Sequence, residues 1–102
     1  MSQPDSRIYV GRLDNGLPVV YAVDATKVHR LLPAGEGFEW GPSAGDAAVA
    51  LARVLLTDAG ADEPPADACA RFSRQIISRL PQDGFALQRD TVNAWLRRYV
   101  AV

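Results

Sequence analysis

Histidine and cysteine are nearly missing from this 102-residue chain: His29 and Cys69 are the single example of each. One cysteine forms neither an internal disulfide framework nor a cysteine-rich zinc site. One histidine leaves little material for a Ser-His-Asp triad or a histidine-rich metal site. Long apolar runs are missing too, since none approaches the roughly 20 residues needed to cross a bilayer. Met1 to Ser6 is polar and carries Asp5, which is not the pattern of a secretory leader. Charge of one sign is also lacking. Lys and Arg number 11 against 12 Asp and Glu, for a formal net charge of -1, whereas non-specific nucleic-acid binding needs a basic surface. These absences point to a reducing, cytoplasmic setting. No cofactor, metal, membrane or nucleic acid is expected.

Hydrophobic residues make up 48% and charged residues 23%, enough apolar surface to offset ordering entropy in a single domain. The expected layout is a flexible tail over 1–6 and one domain over 7–102. Arg7 to Val23 reads as a β-hairpin around Asn15-Gly16, because a two-residue loop needs positive φ at both positions. That loop sets Val10 opposite Tyr21 and Ile8 opposite Val23. It groups Ile8, Val10, Val19, Tyr21 and Val23 on one face, which is the expected core face. Pro18 has no amide to donate, so its position belongs at an edge. Val28, Leu31 and Leu32 fit a helical turn, while Val28, Arg30 and Leu32 fit a strand; two strands alone are marginal, so a short third strand is expected.

Ser43 or Asp46 is placed to cap a helix running to about Thr57, with Val49, Ala52, Leu55 and Leu56 as its stripe and Gly60 as its stop. A second helix is expected from Ala66 to Leu80, on the spacing of Cys69, Phe72, Ile76, Ile77 and Leu80. Phe85 to Gln88 reads as extended. Asp90 or Thr91 then caps a last helix carrying Val92, Trp95, Leu96 and Tyr99. The fold class is α+β: an N-terminal antiparallel hairpin of two or three strands packed against about three helices.

Three places hold candidate chemistry. The glycine-rich stretch from Gly41 through Ser43 to Gly45 enters a helix, whose amino end suits an anion. It lacks the Gly-Lys-Ser/Thr of a P-loop and the spacing of a dinucleotide fingerprint, and Asp46 repels an anion; a turn with a cap is the plainer reading. Phe38-Glu39-Trp40 reads either as two aromatics walling a pocket with Glu39 at its edge, or as two aromatics stapling the loop to the core. Arg71, Arg74, Arg97 and Arg98, with Arg79, form a basic face on the C-terminal helices, for an acidic partner, for RNA as a weaker third reading, or as an ordinary solvated surface. His29 and Cys69 read as structural or exposed residues, not as a proton shuttle or reactive thiol.

Tyr9 and Gly11, the loop Gly37-Phe38-Glu39-Trp40-Gly41, the Ala/Leu-rich helix with Asp58, Phe72 and the pair Trp95-Leu96 together resemble a small prokaryotic and phage family of unknown function. The resemblance spans about Arg7 to Tyr99. It departs in two places: the family's histidine before the loop is replaced by Pro33-Ala34-Gly35-Glu36, and the tyrosine and glycines after it by a shorter turn. The resemblance brings no activity and implies a domain of genomes and mobile elements.

Two functions compete on this reading. One is a non-enzymatic protein-interaction module with a protein partner, acting through the loop or the arginine face, with homodimerisation open to it. The other is a small anion- or nucleotide-binding or enzymatic domain built on Phe38, Glu39, Trp40, Gly41, Ser43 and Gly45.

Overall fold

A computed structural model describes residues 7–25, 27–31, 37–42, 45–61 and 63–101. The expected tail over 1–6, Leu32, the stretch Pro33 to Glu36 and Ser43 lie outside the described residues. Strands β1 (Ile8–Asp14) and β2 (Leu17–Val23) form the hairpin. Asn15 and Gly16 both take positive φ, 53° and 80°, which is what the tight turn demands of them. The register is as the sequence predicts, with Val10 opposite Tyr21 and Ile8 opposite Val23. The third strand is β3 (Val28–Leu31), antiparallel to β2. Its pairing begins at Val20, so Pro18 lies beyond its reach.

Next come helix α1 (Asp46–Asp58), helix α2 (Ala66–Gln75), a 3-10 turn at Ile77–Arg79, strand β4 (Gly84–Gln88) and helix α3 (Arg89–Ala101). Strand β4 returns to pair antiparallel with β1, giving one sheet in the order β3-β2-β1-β4. The class is α+β, with four strands and three helices among the described residues.

The core face of the sheet is the opposite of the one expected. Tyr9, Gly11, Val20, Ala22, Phe85 and Leu87 are buried, all but the glycine in one cluster with Leu51, Leu55, Phe72 and Val92. Of the five residues expected in the core, Ile8, Val10, Tyr21 and Val23 are half-buried on the other face, and Val19 alone is buried. Both faces of the hairpin carry apolar residues, so alternation alone does not choose between them. The helices settle on the face holding the small residues Gly11 and Ala22, where their side chains can approach the sheet closely.

Gly11 fixes that choice. A Cβ at this position would lie 2.0 Å from Cε2 of Phe85, its partner across β1 and β4. The Phe85 ring covers the glycine, and Trp40 meets that ring edge-on at 4.9 Å.

Helix boundaries also depart from expectation. The N-cap of α1 is Gly45 without a side-chain cap, and Asp46 is in the first turn, where its charge suits the dipole. At the other end Gly60 takes φ 118°. Its amide donates to Thr57 O, and that of Ala61 to Leu56 O, the paired bonds of a Schellman stop. The expected long second helix breaks at Ile76 (φ -115°) and continues as the 3-10 turn. The last helix starts at Arg89, directly after β4, with Asp90 inside its first turn.

Candidate functional site

A groove of about 620 Å³ runs along the β3 side of the molecule. One wall is the start of β2 with the end of β3, Leu17 to Val19 and Arg30-Leu31. The other is the first two turns of α1, through Asp46, Ala47 and Ala50, and Gly37 to Glu39 complete it. Its volume lies in the range of ligand and side-chain pockets. Apolar side chains dominate the lining, with Arg30, Glu39 and Asp46 as its charged groups.

The candidate loop residues divide sharply here. Phe38 and Trp40 are buried in the core cluster and Gly41 is buried behind them. The Gly41 amide donates to Ile77 O at 3.0 Å, tying the loop to the 3-10 turn. A Cβ on Gly41 would meet Gln82 Cγ at 2.7 Å. Among the described residues, Trp40 Nε1 is buried without a hydrogen-bond partner. The two aromatics therefore staple the segment, and Glu39 between them is exposed. Glu39 and Pro18 form the ridge between the groove and a smaller hollow of about 220 Å³ that Leu13, Trp40 and Gln82 complete. Gly45 is exposed at the mouth of α1. Of the six loop residues, Phe38 and Glu39 line the groove, while Trp40 and Gly41 hold it from behind.

The four candidate arginines are all exposed. Arg71 and Arg98 line a cleft between α2 and α3 together with Arg79; Arg74 and Arg97 are not part of it.

One polar cluster was not singled out from the sequence. The fully buried Tyr9 donates from its hydroxyl to Asp58 Oδ2 at 2.7 Å. Arg7 donates from one guanidinium nitrogen to both Asp58 oxygens, at 3.0 and 2.8 Å, and from another to Asp24 at 3.2 Å. The physical signal was there. Asp58 closes α1 with no basic residue in the last turn, where a carboxylate opposes the helix dipole and needs a cation from elsewhere. Burial, with the bond to Asp58, pushes the Tyr9 phenol well above its ordinary range, so it stays a donor. Burial likewise raises the Cys69 thiol, as suits a core residue. No group of three or more His, Cys, Asp or Glu able to hold a metal occurs among the described residues, and no described helix is long and apolar enough to cross a membrane.

Residues 7–98 match a family of unknown function, DUF6166. Comparison with curated proteins gave no match, and neither did comparison with solved structures.

Proposed function

The chain belongs to the DUF6166 family of unknown function, and we propose that it is a non-enzymatic protein-interaction module that receives an extended segment of a partner protein along the groove beside β3. One observation carries this reading: β3 is an edge strand whose first three residues, Val28, His29 and Arg30, are exposed, and it borders an apolar groove. An edge strand offers main-chain hydrogen bonds to an added strand, and an adjoining groove selects its side chains. Leu17, Leu31 and Phe38 suit an apolar anchor, while Arg30 on one wall and Glu39 with Asp46 on the other suit charges of both signs flanking it. The phage or mobile-element setting of this proposal comes from the resemblance, and the cytoplasmic one from the near absence of cysteine.

The competing small-anion reading of the same groove is disfavoured by those carboxylates. Glu39 and Asp46 stand where an anion would approach the amino end of α1.

Selection of short random peptides on the immobilised protein tests the proposal. Enriched peptides are expected to bind the native chain and to lose at least about tenfold in affinity, roughly 1.4 kcal/mol, on Ala47→Trp, which fills the groove, and on Leu17→Asp, which charges its rim. Failure to enrich any peptide, or binding indifferent to both folded variants, would overturn it. Pairing of β3 with a second copy of this chain, seen as a dimer that Leu17→Asp dissociates, would also count against a foreign partner.

A further inference from the structure

The cleft between α2 and α3 lies apart from the groove and has a different chemistry. We propose that it is a binding site for a phosphate monoester, held by the guanidinium groups of Arg79 and Arg98. The cleft has a volume of about 460 Å³ and is lined by Arg71, Arg79 and Arg98 with Gln75, Ile76 and the aromatic pair Trp95 and Tyr99, with no carboxylate among them.

The three arginines are not equivalent. Arg71 is engaged: its Nε lies 3.1 Å from Asp67 Oδ2, and its guanidinium lies 5.8 Å over the Tyr99 ring. The Tyr99 hydroxyl donates to the same Asp67 oxygen at 3.0 Å, and its ring stacks on Trp95 at 5.4 Å and 13°. Trp95 in turn donates from Nε1 to Gln75 Oε1 at 2.7 Å. Asp67, Arg71, Tyr99, Trp95 and Gln75 thus form one connected wall joining the two helices. Among the described residues, Arg79 and Arg98 have no ion-pair partner, which leaves their guanidinium groups for a ligand.

Charge selects the ligand class. Among the described residues at the cleft, three guanidiniums stand against the carboxylate of Asp67, and the two positive charges left over match the near-dianionic state of a phosphate monoester at neutral pH. Guanidinium forks match phosphate oxygens in geometry and bind them bidentately. A nucleobase is a poor occupant, because one face of Tyr99 is stacked on Trp95 and Arg71 lies over the ring. A phosphodiester strand, with one charge per phosphate, matches less well than a monoester.

The test is titration of the labelled full chain, followed by amide chemical shifts, with inorganic phosphate, with a phosphoserine peptide and with a single-stranded RNA homopolymer. Phosphate is expected to give saturable shifts around Arg79 and Arg98, and the phosphoserine peptide to give shifts that strengthen from pH 5 to 7, as its ester gains its second charge near pH 6. Arg79→Gln with Arg98→Gln should weaken binding at least about tenfold, while the same charge loss at Arg74 and Arg97 should change it by less than about twofold. A phosphopeptide binding more tightly than phosphate places the ester on a polypeptide, and equal binding places it on a small molecule; both support the site. Equal losses in the two double variants, no saturation by about 10 mM phosphate, or RNA binding as tight as the phosphopeptide's would overturn it. None of these substitutions touches the groove beside β3, so this result stands or falls separately from the peptide selection.

Discussion

At the scale of single residues, Gly11 and its neighbours resolve into packing. Gly11 exists to be covered: with a Cβ 2.0 Å from Phe85, any side chain there forces the ring off β1 and disturbs its contact with Trp40. Gly11→Ala is expected to cost about 1–3 kcal/mol by overpacking, read as a lower urea midpoint at unchanged m-value. Combining it with Phe85→Leu should recover part of that loss. Tyr9 makes a second prediction, about pH. Its phenol titrates above its ordinary 10.0 when folded, so the protonated donor is the form that folding favours. That contribution is complete below pH 10 and declines as pH rises past it, by up to about 1.4 kcal/mol per unit. Tyr9→Phe should cost roughly 1.5–3 kcal/mol at neutral pH, the worth of a hydrogen bond to a charged acceptor. In denaturation curves taken across the alkaline range, the gap between the native chain and this variant should narrow above pH 10.

At the scale of elements, α1 shows how one terminus recruits the rest of the chain. Its last residue, Asp58, is set against the helix dipole, and Arg7 from the start of β1 answers it. Arg7→Gln is expected to destabilise by about 1–2 kcal/mol in this partly buried setting, and adding Asp58→Asn should restore part of it in a double-mutant cycle. Features with local chemistry were legible in the sequence: the Asn15-Gly16 turn with its register, the Gly60 stop and the short β3. The break of α2 at Ile76 was not, because Ile76, Ile77 and Leu80 fit a continuing helical stripe as well as they fit a helix followed by a 3-10 turn. The place of β4 was not legible either. Phe85 to Gln88 reads as extended, but nothing local says that it pairs with Ile8 to Arg12 at the far end of the chain.

At the scale of the whole molecule, the three helices crowd one face of a four-stranded sheet. Choosing that face requires knowing which surface the helices approach, and the hairpin's two apolar faces conceal it. The consequence is measurable. Val10→Thr, half-buried on the other face, should cost less than Val20→Thr, which buries a hydroxyl in the core cluster and should cost about 1–3 kcal/mol in the same denaturation experiment. The same arrangement explains how much of the candidate site could be read in advance. Phe38 and Glu39 were legible as a pair on a glycine-rich loop. That β3 and the start of α1 would meet them across a groove depends on the closed fold, as does the gathering of Arg79 with Arg71 and Arg98 while Arg74 and Arg97 stay outside the cleft.

The central claim, that the β3 edge and its groove receive a partner's extended segment, is most directly tested by mapping amide chemical-shift changes on the labelled protein as a selected peptide is added. The account predicts changes concentrated at Val28 to Leu31, Gly37 to Glu39 and Asp46 to Ala50, with the peptide's own amides becoming protected from exchange. Changes confined to α2 and α3, or spread evenly over the surface without protection of the peptide, would contradict it.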